Sequence, residues 1–152
     1  MSIKNFLFGS SISDRFGDIG ILVARLGFGL YLSLAHGLAK LPPSEQLIGG
    51  VEKMGLPLPV LMAWLAAFAE GIAALCVAVG LLTRPMALMA VIAMGVAAFV
   101  AHGSDPWASM GGASKEPAMM FFIGFLAIAF LGGGNLSIDR FFRKSAPQPT
   151  EA

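Results

Sequence analysis

Charge is what this sequence has least of. Of its 152 residues only 12% are Asp, Glu, Lys or Arg, while 57% are hydrophobic and mean hydropathy is +0.79. An ordinary soluble domain carries about 25% charged residues, so the chain is an integral membrane protein, of a length that suits one domain. Net charge is only +1 with no basic block, which leaves nucleic-acid binding without electrostatic footing. Cysteine is scarce as well. Cys76 stands alone, which excludes an internal disulfide and a two-thiol relay, and a lone Cys inside an apolar run is normally a small filler. The amino-terminal residues lack a basic stretch leading into a short apolar run and an A-x-A site, so no cleavable signal is expected. The single Tyr31 and the two tryptophans, Trp64 and Trp107, suit interfaces or packing rather than a cofactor box. The nine methionines are scattered and read as core filler.

What is abundant is apolar sequence in lengths that cross a bilayer, about 20 residues each. The expected fold is all-α, a polytopic bundle of four transmembrane helices. Residues 1–18 form a lead-in, 19–142 the membrane domain and 143–152 a disordered tail. The first crossing is expected from Ile19 to Leu41, where Pro42 and Pro43 end it. The second runs from Leu58 to Leu82, the third from Met86 to Gly103, and the fourth from Pro117 to Leu131, closed by Gly132, Gly133 and Gly134. Thr83-Arg84-Pro85 is expected to make the tight turn between the second and third. Between the first two lies a short amphipathic segment with Leu47, Ile48, Val51 and Met54 on one face and Ser44 as its N-cap. It is expected over the mouth of the bundle. Lys4, Arg15, Arg84, Arg140, Arg143 and Lys144 fall on one side, against Lys40, Lys53 and Lys115 on the other. The positive-inside rule then places both termini in the cytoplasm, in a multi-pass inner-membrane protein.

Against this apolar background the few polar residues stand out. Glu70 is the only charge between Leu58 and Leu82, and a carboxylate at that depth costs several kcal/mol unless it is protonated, paired or hydrated. Ala63, Ala66, Ala67, Ala73 and Ala74 share its helical face and allow a neighbouring helix to come close, while Leu61, Leu65, Phe68, Ile72 and Leu75 lie opposite. Glu70 is therefore turned inward. On the first helix Arg25, Gly29, Leu32, His36 and Lys40 fall on one stripe at helical spacing. Four crossings would bring Lys40, His36, His102 and Glu116 to the non-cytoplasmic side with Glu70 below them, and put Arg25, Arg84 and Asp139 toward the cytoplasm. Such convergence is how bundles build sites. Plainer roles exist for several. Glu116 suits a helix N-terminus, Lys40 can snorkel to headgroups, and His102 can cap carbonyls. Arg84 reads as a cytoplasmic anchor, and Asp139 as a juxtamembrane ion-pair or capping group. Arg25 and Glu70 also lie near enough in depth to pair with each other. His36, His102, Glu70 and Glu116 offer donors that zinc or iron accepts, but there is no H-x-x-x-H or E-x-x-H spacing and Lys40 would repel a cation, so no metal is assigned.

These pieces, in order, resemble the DoxX family of small four-helix membrane proteins. They are Arg25 with Gly27; H-G-L-A-K from His36 to Lys40; G-L-P-L-P from Gly55 to Pro59; Glu70-Gly71; G-L-L-T-R from Gly80 to Arg84; Ala101-His102; Glu116; and L-S-I-D from Leu136 to Asp139. The resemblance covers nearly all of residues 19–142. The family is named for a membrane subunit of an archaeal thiosulfate:quinone oxidoreductase, and the likeness implies a four-helix bundle with a quinone-linked redox role. No flavin or haem motif is present, so redox chemistry would need a diffusible quinone or a partner subunit that carries the cofactor.

On that reading Glu70, His36 and His102 are the candidate catalytic residues, passing protons to a quinone. Arg25, Lys40 and Glu116 are the candidate substrate-binding residues, with Lys40 or Arg25 stabilising the anion that forms. Arg84 and Asp139 are expected to be structural. Two other functions use the same residues. One is a non-catalytic assembly or membrane-integrity protein whose polar cluster fixes helix register. The other is a small proton or anion transporter, against which stands the lack of an inverted repeat or a broken helix. The bilayer is the certain partner. A redox subunit is implied by the quinone reading, and the small-residue faces permit a homo-oligomer without requiring one.

Overall fold

A computed structural model describes residues 15–108 and 111–143; the lead-in before Arg15 and the tail beyond Arg143 lie outside the described residues. The described chain is all-helical. Helix α1 spans Arg15–Lys40, α2 Glu45–Lys53, α3 Pro59–Val79, α4 Thr83–Ala101 and α5 Glu116–Leu131, with a short 3-10 turn after them at Ile138–Phe142. Helices α1, α3 and α4 are long and apolar enough to cross a membrane, and α5 is a shorter apolar helix of 16 residues.

The four apolar helices pack in a ring, α1 on α3, α3 on α4, α4 on α5 and α5 on α1. Inside it lie Ile21, Leu32, Ala74, Val77, Ala87, Ala90, Val91, Met94, Phe121, Phe125 and Ile128. The small face of α3 points inward as the alanine spacing predicts. Ala63, Ala67, Ala73 and Ala74 are buried, Ala66 is half-buried, and Leu61, Leu65 and Ile72 face outward. Without a hydrophobic driving force between helices in lipid, such close approach is what holds them together. Gly29 on α1 shows it directly, since a Cβ there would come within 2.6 Å of the Ala74 carbonyl and 2.9 Å of the Ala78 methyl.

Two helix starts and one packing arrangement differ from the sequence reading. Helix α1 begins at Arg15 rather than Ile19, because Asp18 in its first turn is buried against Asn135 instead of being left to water. Helix α4 begins at Thr83, so the turn is made by Gly80 and Leu82, both at positive φ, and not by Thr83-Arg84-Pro85. Asp139 starts it early by capping the free N–H groups of Leu82 and Thr83. Third, α2 is capped as expected, Ser44 Oγ accepting from Leu47 N at 3.2 Å, yet it packs along the Pro59–Phe68 half of α3.

The packing of α2 reveals a discontinuity. Helix α1 runs antiparallel to α3, with Arg25 against Val77 and Ala78, Gly29 against Ala74 and Gly37 against Glu70 and Gly71. It therefore stops level with the middle of α3, and α2 covers the remaining half. A sequence scan sees Pro42-Pro43 as the end of a full crossing. The structure places that end halfway along its neighbour.

Candidate functional site

The stripe expected on α1 does not survive the length of the helix. Asp18, Ile21, Arg25, Gly29 and Leu32 are all buried, as a single α-helical face requires. At Ser33–Gly37 the helix opens into a π turn, which holds an extra residue and rotates the rest of the helix about its axis. Ser33 and Gly37 stay inside, and His36 is turned out. Helix α3 has its own π turn at Ala69–Ala73, and the two turns pack on each other. Gly37 sits so closely on the backbone of Glu70 and Gly71 that no β-carbon fits between them.

Just beyond this crossing α1 tightens into a 3-10 turn that ends at Lys40. Its ammonium donates to Glu70 Oε2 at 2.6 Å. The Glu70 side chain is 8% exposed and that of Lys40 34%, so the pair is closed on the carboxylate side and open at the lysine. Two ions in apolar surroundings stabilise each other only with good geometry. A lysine that keeps two N–H donors beyond the one it gives to Glu70 can also offer a hydrogen bond to a ligand. Here the end of α1, two π turns and an ion pair coincide at the middle of α3.

The other expected members are elsewhere. His36 is exposed, its ring 6.3 Å from Tyr31 and edge-on to Phe121 at 6.1 Å. His102 closes the end of α4 with Nδ1 2.8 Å from Asp105 Oδ2. Glu116 opens α5 and is exposed. Among the described residues, His36, His102, Glu70 and Glu116 do not assemble as a metal-ligand set.

Arg25 does not meet Glu70 either. It is fully buried at the opposite end of the bundle, donating to the carbonyls of Val77 at 3.3 Å and Ala78 at 3.2 Å, and to that of Leu136. Around it is a polar knot that ties the segment after α5 to the base of the bundle. Asp139, 1% exposed, accepts from Leu82 N at 2.7 Å, Thr83 N at 2.8 Å and Thr83 Oγ1 at 2.6 Å. Asp18 accepts from Asn135 N at 2.7 Å and Asn135 Nδ2 at 2.8 Å. Arg143 donates to the Gly134 carbonyl, and Arg84 to that of Phe130 at 2.9 Å. Asp18, Thr83 and Asn135 escape a reading that looks for charge inside apolar runs. The two-turn spacing from Asp18 to Arg25 was the available sign that both share the buried face.

The DoxX family model matches residues 20–103, which take in both halves of the Lys40–Glu70 pair. The chain belongs to the DoxX family. It is also 29% identical over 140 residues to the inner membrane protein YphA of Escherichia coli strain K12, an alignment that covers 83% of this chain and 96% of that protein. No solved structure gives a significant match. Within this DoxX protein the sequence motifs meet in pairs. H-G-L-A-K closes on Glu70-Gly71 through Gly37 and Lys40, and G-L-L-T-R closes on L-S-I-D through Thr83 and Asp139. The first pairing makes an open ion pair and the second a closed structural knot. This DoxX chain is an inner-membrane protein with several apolar helices.

Proposed function

We propose that this chain is the membrane subunit of a quinone-linked redox system, with both termini cytoplasmic and α5 completing a fourth crossing. Lys40–Glu70 is the site that meets the quinone head. The observation that carries this reading is the pair itself, a 2.6 Å contact at the end of a helix that stops halfway along its neighbour, closed around Glu70 and open at Lys40. Lys40 donates a hydrogen bond to a carbonyl oxygen that gains negative charge, and Glu70 relays a proton from water to that oxygen. Electrons come from a partner subunit that carries a redox cofactor, since this chain has no motif for one. His36 and His102 lie away from the pair, which leaves Glu70 as the proton carrier and Lys40 as the electrostatic contact.

Binding of decylubiquinone to the purified full chain in detergent tests this. Wild type is expected to bind saturably, and Glu70→Gln about 10- to 100-fold more weakly, as losing a charge-assisted interaction implies. Equal binding by the two would reject the site. A transporter is less well supported, because the open pair and the buried knot at the base are separated by the apolar core around Ala74, Leu32 and Phe125.

A further inference from the structure

The base of the bundle carries a surface that the knot builds but does not use. Arg25 lies level with the Gly80 turn, so the α1 residues from Arg15 to Ala24 project beyond the end of α3. There they meet the segment after α5, through Asp18 and Asn135 and through Ile21 and Gly134. Next to this junction in sequence, two residues from Asp18 and Asp139, stand the two most exposed large apolar side chains among the described residues, Phe16 at 87% and Phe141 at 84%, and Leu136 and Phe142 in the same segment are exposed as well. Arg15 and Arg140 are exposed beside these phenylalanines in sequence. The acids described at this end, Asp18 and Asp139, are buried and already accept hydrogen bonds from backbone and side-chain donors. The outer face is therefore apolar and cationic, with no described carboxylate to balance it.

We infer that this face docks anionic phospholipid. Phenylalanines seat at the boundary between headgroups and acyl chains, and the arginines pair with lipid phosphate, which is the composition of an interfacial anchor. Position supports it, because these residues lie past the turn between α3 and α4, and a pair of bilayer-crossing helices makes its turn at the headgroups. Rigidity supports it too. Asp139 N donates to the Gly80 carbonyl at 2.8 Å, so the turn bearing Arg140 and Phe141 is held in place before any lipid arrives.

The experiment is thermal unfolding of the full chain in detergent, titrated with phosphatidylglycerol or with phosphatidylcholine. Phosphatidylglycerol is expected to raise the melting temperature saturably and phosphatidylcholine to leave it unchanged. In the double variant Arg15→Gln/Arg140→Gln the affinity is expected to fall about 25-fold, from roughly fivefold per arginine, with an unchanged melting temperature in detergent alone. Arg15→Lys/Arg140→Lys keeps most of the binding. Equal response to the two lipids, or unchanged affinity in the glutamine variant, overturns the proposal. A protein that co-purifies with wild type and is lost from Phe141→Ser, with no lipid preference in either, would show a protein interface instead and overturn it as well.

Discussion

Gly37→Ala is expected to unseat α1 from α3. The added methyl has no space, because backbone atoms of Glu70 and Gly71 already occupy the position of a Cβ, and backbone cannot rotate away as a side chain can. The helices must part, and the Lys40–Glu70 contact parts with them. Overpacking typically costs about 1–3 kcal/mol and sometimes more; a clash with backbone at a helix crossing belongs at or above the top of that range. Thermal unfolding in detergent measures it, with Gly27→Ala as the comparison. A Cβ at Gly27 meets nothing within 4 Å, so that variant is expected to match wild type or exceed it slightly. Similar losses in both would show that helix propensity, and not the crossing, decides the result.

The second large effect is at Asp139. Replacement by alanine strips acceptors from Leu82 N, Thr83 N and Thr83 Oγ1 together and leaves Arg25 buried with only carbonyls around it. Leaving a buried donor unsatisfied costs about 1–3 kcal/mol, so the loss of three acceptor contacts at once is expected to cost at least about 3 kcal/mol. Arg140→Ala, one residue on and exposed, is expected to stay within about 0.5 kcal/mol of wild type. The double variant Arg25→Met/Asp139→Ala should lose less than the sum of its single changes, because the attraction between the two buried charges can be lost only once. Strict additivity in equilibrium unfolding would mean that Arg25 and Asp139 do not share a network.

How far the sequence could be read depends on what each residue needs. Glu70 announces itself, since nothing else between Leu58 and Leu82 is charged, and its alanine-lined face set the inward direction of α3. Arg25 was legible as buried but not its partners, because backbone carbonyls leave no mark in a sequence. His36 misled. It sits at proper α-helical spacing from Arg25 and Lys40, and only the π turn at Ser33–Gly37 sends it outward. Such a turn depends on how two helices cross, a tertiary cause invisible to periodicity. The same applies to the halfway stop of α1, where Pro42 and Pro43 mark an end but not its depth. At the base, Asp139 could be read as a cap without showing which helix it caps. That helix begins 56 positions away at Thr83.

The claim that Lys40–Glu70 serves a ligand, rather than only joining two helices, is tested most directly by removing both charges at once. A buried ion pair exchanged for apolar groups of similar size is often neutral or stabilising. Lys40→Met/Glu70→Met is therefore expected to fold with a melting temperature at or above that of wild type and to bind decylubiquinone at least about 10-fold more weakly. A folded double variant that binds the quinone as wild type does would contradict the account and leave the pair as a fastening between α1 and α3.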